Sequence, residues 1–163
     1  MALARIPEEL VGFCESGISV LLGTRDATNR PACSRPVGAM VSPARDHVTV
    51  VVPSEAGARV LANLRENGLA AVTFVRPIDN RGMQVKGRCV AVRALSAEEQ
   101  ARTRAYLEAF AESLHQVGMP RPRTMRLTIE PAVAVDIAIE QIFQQTPGPS
   151  AGAPLQSTGS EAP

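Results

Sequence analysis

Three cysteines in 163 residues, Cys14, Cys33 and Cys89, form neither a CxxC pair nor a zinc-ligand spacing. That argues against a disulfide framework, and small buried thiols are the expectation. Histidine is nearly as scarce: His47 and His115 are the only two, too few for most metal sites. No apolar run approaches the roughly 18 to 20 residues that a membrane-spanning helix needs. The first residues carry Glu8 and Glu9 and no continuous apolar stretch, so no signal peptide is expected and a cytoplasmic protein is the default. Charge of one sign is also lacking, with 17 basic against 16 acidic side chains and a net charge of +1. Without a basic block or an acidic run, neither nucleic acid nor a solvated tail is indicated. What is present is apolar: 45% hydrophobic residues in a chain long enough for one domain with a real core.

The apolar residues recur with two periods. Ile6, Leu10 and Phe13 mark a helix over residues 6–15, ended by Gly17. Ile18–Thr24 is a buried strand, and Arg25–Pro31 supplies turn chemistry. Ala32–Val41 is expected as one strand with Cys33, Arg35, Val37, Ala39 and Val41 on one face. A turn over Ser42–Asp46 leads into a strand over His47–Val52. Pro53 stops it, and Ser54 is placed as the N-cap of a helix running to Glu66, with Gly68 as terminator. Strands over Leu69–Val75 and Met83–Ala94 flank a turn at Pro77–Gly82. Ser96 and Glu99 form an S-x-x-E capping box for a long helix with Leu107, Phe110 and Leu114 on its core stripe, ended by Gly118 and Pro120. A final strand or strand pair is expected over Thr124–Ile139, where Met125, Leu127 and Ile129 alternate with polar residues and Pro131 forces a bend. Residues 1–145 form the domain. Residues 146–163, rich in Pro, Gly and Ser, form a mobile or surface-draped tail. Tight turns between successive strands argue for antiparallel pairing, and strand runs cut by helices suggest a barrel with helices at its ends.

Two arginines stand out chemically. Arg35 lies on an otherwise apolar strand face and needs an anion or an escape to solvent. Arg59 sits in the first turns of a helix, whose free amides and partial positive charge favour phosphate. Read from residues alone, they remain either a phosphate clamp or a salt-bridge partner and a solvated side chain. Asp79 is explained by turn geometry, and nothing resembles a nucleophile-histidine-acid triad.

From about Ile18 to Val92 the chain resembles the pyridoxamine 5'-phosphate oxidase-like family of split barrels that bind flavin mononucleotide (FMN). The resemblance rests on Pro31-x-x-x-Arg35-Pro36-Val37 in the second strand and on the helix Ala58-Arg59-Val-Leu-Ala-Asn-Leu-Arg-Glu-Asn-Gly68. It rests also on the strand Met83-Gln84-Val85-Lys86-Gly87 and on the long helix that follows. It implies a mainly β (α+β) fold: a six- to seven-stranded antiparallel split barrel with flanking helices, homodimeric, with FMN at the dimer interface. It implies that Arg35 and Arg59 contact the FMN phosphate, and that Pro36, Val37, Gly38 and Met40 line the isoalloxazine. Val52 and Pro53 would lie beside the ribityl-phosphate, and Gln84 would bond the ring edge.

Met40 and Val60 stand where the oxidase carries lysines, and its C-terminal aromatic and basic substrate residues have no counterpart in a chain without tryptophan. The implied activity is therefore flavin-mediated hydride or electron transfer on another small substrate, with no catalytic residue assigned. The alternative is a non-enzymatic dimer that carries or senses a ligand: haem held by His47 or His115, the deazaflavin F420, or none. Homodimerisation is also expected to cover apolar faces at Val48, Val50 and Val52.

Overall fold

In the computed structural model, which describes residues 3–127 and 131–155, the apolar alternation resolves into seven strands. They are β1 (Ser19–Arg25), β2 (Pro31–Ser34), β3 (Gly38–Val41), β4 (His47–Pro53), β5 (Leu69–Val75), β6 (Gly82–Arg93) and β7 (Ala132–Gln144). Four helices accompany them: α1 (Glu8–Glu15), α2 (Ala58–Asn67), α3 (Ala97–His115) and the single turn α4 (Arg121–Thr124). All pairings are antiparallel, and the strand order is β2-β1-β5-β6-β7-β4-β3.

The segment expected as one strand over residues 32–41 is thus two strands at opposite edges of the sheet. Pro36 cannot donate to a ladder and restricts Arg35 before it, so the chain leaves one edge at Ser34 and joins the other at Gly38. Four Cα steps reach about 14 Å, whereas six interstrand gaps of about 4.8 Å would hold flat edges about 29 Å apart. The sheet must therefore curl on itself, and the Arg35–Val37 link crosses the split of the resulting barrel.

The barrel interior is filled by alternate residues such as Leu22, Val50, Val72, Phe74, Val85 and Ile137, all without solvent exposure. Val48, Val50 and Val52 belong to this interior. They need no partner subunit to cover them, and that argument for a dimer falls. Phe13 and Cys14 of α1, and Val60, Leu61 and Leu64 of α2, add to the same core. Burial pushes the Cys14 thiol up to about 12, so it stays protonated and inert. Cys33, by contrast, is exposed, and only Cys14 is a fully buried thiol.

Two boundaries differ from the sequence expectation. Helix α2 begins after a turn at residues 54–57, with Gly57 rather than Ser54 at its N-cap and no side-chain cap. Between residues 121 and 127 the chain forms α4 and a turn instead of a strand, so Met125 and Leu127 are not in the ladder. Pro122 at the start of that turn favours a helical opening. Ile129 lies outside the described residues, as does the tail beyond 155. Residues 153–155 run beside β7, with the Leu155 amide donating to Ile142 O at 2.8 Å.

Helix α3 starts at the expected capping box of Ser96 and Glu99. It is clamped to the sheet by Arg93, which donates to Glu99 Oε1 and to Asp136 Oδ2 at 2.7 Å each. The Arg93 hydrogen bonds hold the Glu99 carboxyl down at about 2, against an ordinary 4.5. A depressed carboxylate stabilises the fold above its unfolded pKa and loses that contribution as pH falls through the folded value. Glu99→Gln should therefore lower the urea midpoint at pH 7, with the difference from wild type shrinking between pH 4.5 and 2. A difference that persists undiminished at pH 2 would show that the clamp is not carried by this charge.

Candidate functional site

The split of the barrel gathers several of the residues singled out above. Val37 N donates to Val51 O at 2.9 Å, tying the Arg35–Val37 crossing to the end of β4. Gly57 N donates to Pro53 O at 2.8 Å, and a Cβ on Gly57 would lie 3.5 Å from Ser34 Oγ. The start of α2 therefore abuts the ends of both β2 and β4. No side chain caps α2 and no acidic residue occupies its first turn, so its positive end is left for another anion. Arg35 and Arg59 are both exposed, and no carboxylate among the described residues pairs with either. The Arg35 guanidinium lies over the Phe110 ring, 5.7 Å from its centroid, a contact that orients the group without neutralising it.

The remaining residues at this end are more enclosed. Val52 points into the barrel core, which leaves only its backbone facing the split, and Pro53 is half-buried. Pro36 is buried, and Val37 and Met40 join Val51 in a second apolar cluster under Leu95 and Leu127. A Cβ on Gly38 would meet Thr103 Oγ1 at 3.1 Å, so α3 lies directly over this strand. Val60 and Met40, where the oxidase carries lysines, are 1% and 6% exposed, and each packs in an apolar cluster.

Gln84 lies elsewhere on the outer surface. Register places it in a transverse row with Leu21, Thr73 and Phe143, and its Nε2 donates to Thr73 Oγ1 at 2.8 Å. Strands β1 and β5 separate it from β2, about 14 Å along the sheet. The structure therefore brings the chain beside Arg35, the Val52–Pro53 end of β4 and the start of α2 to one end of the barrel, and leaves Gln84 at a distance.

Beside that row runs a second: Cys33, Gly23, Ala71, Lys86 and Gln141, each the register partner of the next. Gly23 and Ala71 are its smallest members, and the result is a groove of about 710 Å³ on the outer face of β1, β5 and β6. Sequence reasoning did not find this groove. Two signals were present: Lys86 is the single lysine beside sixteen arginines, and Gly23 interrupts the apolar run of β1.

The other candidates are structural. His47 Nδ1 sits 2.8 Å from Asp46 Oδ1, and that hydrogen bond holds the Asp46 carboxyl below its ordinary value. Ser42 Oγ donates to Asp46, not to His47, so no relay forms. His115 is exposed at the end of α3. Asp79 accepts from Arg76 and from the Arg81 amide, chiefly the former, and is held down at about 2 as the pin of its turn. Among the described residues no three His, Cys, Asp or Glu side chains gather as metal ligands, and no helix is long and apolar enough to cross a membrane.

The sequence profile of the pyridoxamine 5'-phosphate oxidase family matches residues 6–145. The chain belongs to that family. No curated protein matches it by sequence. Among solved structures, HupZ of Group A Streptococcus is 19% identical with a TM-score of 0.56, over 91% of this chain and 100% of that one. A putative pyridoxamine 5'-phosphate oxidase of Lactobacillus delbrueckii is 15% identical with a TM-score of 0.55, over 85% and 93%. An FMN-binding protein of Syntrophomonas wolfei is 16% identical with a TM-score of 0.50, over 83% and 85%. At such identities the likenesses establish the split-barrel fold of this pyridoxamine 5'-phosphate oxidase family member, and the expected six to seven strands are seven.

Proposed function

We propose that this family member binds FMN and uses it for hydride or electron transfer on a small substrate, as a homodimer. The observation that carries the reading is two exposed arginines without a carboxylate partner among the described residues, Arg59 in the first turn of the uncapped α2 and Arg35 next to the Ser34 that abuts that helix start. That donor set fits a phosphate dianion, which two arginines and helix amides hold by charge-assisted hydrogen bonds. When bound, the flavin would supply the redox chemistry, and the protein would bind, orient and exclude water. Arg35 and Arg59 would take the phosphate, with the Pro36–Met40 and Val52–Pro53 backbone alongside. Gln84, whose Oε1 is left free by the Nε2 bond to Thr73, stands too far from the arginines of its own protomer and would meet the ring edge of a flavin held by the other copy in the homodimer.

An absorption spectrum of the purified protein, before and after adding FMN and desalting, tests this directly. Flavin bands that survive desalting are expected, and light scattering at micromolar concentration should give a dimer mass. A colourless protein after reconstitution would overturn the flavin reading.

The buried, apolar Met40 and Val60 favour one second reading, a ligand carrier or sensor without turnover. Both stand where the oxidase places lysines, so two phosphate-binding charges are missing. A haem Soret band, or retention of F420 in place of FMN, would identify that carrier's ligand.

A further inference from the structure

We propose that Lys86 tunes the flavin across the dimer, a role that rests on the FMN reading above. Its ammonium would stand with Gln84 of the same copy at the edge of a ring held by the other copy's arginines. There it would favour the reduced cofactor over the oxidised one.

The placement follows from the outer face of β6. Met83 and Val85 point into the barrel core, so Gln84 and Lys86 leave the sheet on the opposite face, with their Cα atoms about 6.6 Å apart. Lys86 does not extend straight out from its own row. Its ammonium lies over the Phe143 ring, 4.9 Å from the centroid, and Phe143 is the register partner of Gln84. The register partner of Lys86 itself is Gln141, further back along β7. The long stem thus carries the charge diagonally toward the Gln84 row. One edge of a planar ligand set against that row would meet both groups. Gln84 offers its free Oε1, since Nε2 is engaged with Thr73 Oγ1 at 2.8 Å, and Lys86 offers its N–H donors.

Lys86 is the only lysine of the chain, is exposed and has no carboxylate partner among the described residues. Glu140, next to Gln141 on β7, is engaged by Arg88 at 3.2 Å. The Phe143 face orients the ammonium without neutralising it. A full positive charge is therefore kept on the face where Gln84 would meet the flavin. Hydride transfer moves two electrons and one proton from the substrate, which is oxidised as its C–H bond breaks, and leaves the ring with one added negative charge. An ammonium at the ring edge stabilises that added charge. Arg35 and Arg59 would meet the phosphate, whose charge is the same in both states, so they cannot supply this preference.

The midpoint potential of bound FMN, measured by dye-coupled reduction, tests the role without turnover. Lys86→Met should weaken binding of reduced FMN about tenfold more than binding of oxidised FMN, the loss of one charge-assisted contact. For two electrons that lowers the potential by about 30 mV. Lys86→Arg should restore it, and the exposed position predicts an unchanged thermal midpoint for both ligand-free variants. A mixed dimer locates the charge. One chain carries Arg35→Ala with Arg59→Ala, the other carries Lys86→Met, and two different affinity tags select the pair. Its one intact phosphate site, on the Lys86→Met chain, should bind FMN at the wild-type potential, because the other chain supplies Lys86. The role is overturned if flavin-loaded Lys86→Met keeps the wild-type potential, or if oxidised and reduced FMN lose affinity equally. It is equally overturned if the mixed dimer shows the lowered potential. A wild-type protein that fails to bind FMN overturns the flavin reading itself, and this role with it.

Discussion

The double substitution Arg35→Ala with Arg59→Ala is expected to weaken FMN binding by about two to four orders of magnitude. A hydrogen bond to a charged group contributes about 1.5–3 kcal/mol, and about 1.4 kcal/mol is tenfold in affinity. Each single change should therefore cost roughly ten- to a hundredfold. Because both guanidiniums would share one phosphate, the two effects need not add. Both side chains are exposed and neither carries an ion pair among the described residues. The thermal midpoint of the ligand-free protein should barely move, which separates loss of a ligand contact from loss of the fold. Fluorescence titration of FMN, whose emission changes on binding, gives the affinities. Lysine at position 35 should keep part of the affinity, as a point charge without the bidentate fork. Flavin retained at wild-type affinity by the double variant would remove the phosphate site from the split of the barrel.

The largest effect on stability is expected from Gly87→Ala. Gly87 stands at a register shift between β6 and β7, where the strands approach so closely that an added methyl would meet Ala138 O at 1.9 Å. The clash is with backbone, so relief requires separating two strands in the longest pairing of the sheet. A loss of at least about 3 kcal/mol is expected, out of roughly 5–15 kcal/mol for a domain. At this chain length that corresponds to a midpoint about 6–12 °C lower. The comparison is Gly12→Ala in α1, where a new Cβ meets nothing within 4 Å. There alanine should stabilise by about 0.5–1 kcal/mol through helix propensity. Urea melts of both variants check the pair, and a Gly87→Ala protein as stable as wild type would mean that the β6–β7 contact is looser than described.

Much of the architecture was legible because it rests on local rules. The capping box at Ser96 and Glu99, the left-handed Gly68 that closes α2 and the Asp79 turn each depend on side chains within a few residues of the backbone they serve. Two of the misreadings share one cause, closure of the sheet. Residues 32–41 alternate as a single strand should, yet Pro36 divides them between two edges that meet only because the sheet curls. The apolar face of β4 appeared to need a partner, whereas the closed barrel buries it within the protomer.

The amino-acid sequence by itself determined most of the strands and the three longer helices, that the strands run antiparallel, and that Arg35 and Arg59 are the residues to examine for phosphate. Period, turn chemistry and caps act over a handful of residues, and a family motif is read along the chain. Only the tertiary structure decided that the end of β2, next to Arg35, abuts the start of α2, which carries Arg59, while two strands lie between β2 and the strand of Gln84. It alone brought Cys33, Gly23, Ala71, Lys86 and Gln141, from five different strands, into one row. Such a row depends on register between segments far apart in the sequence, and register is set when the whole apolar face is buried at once.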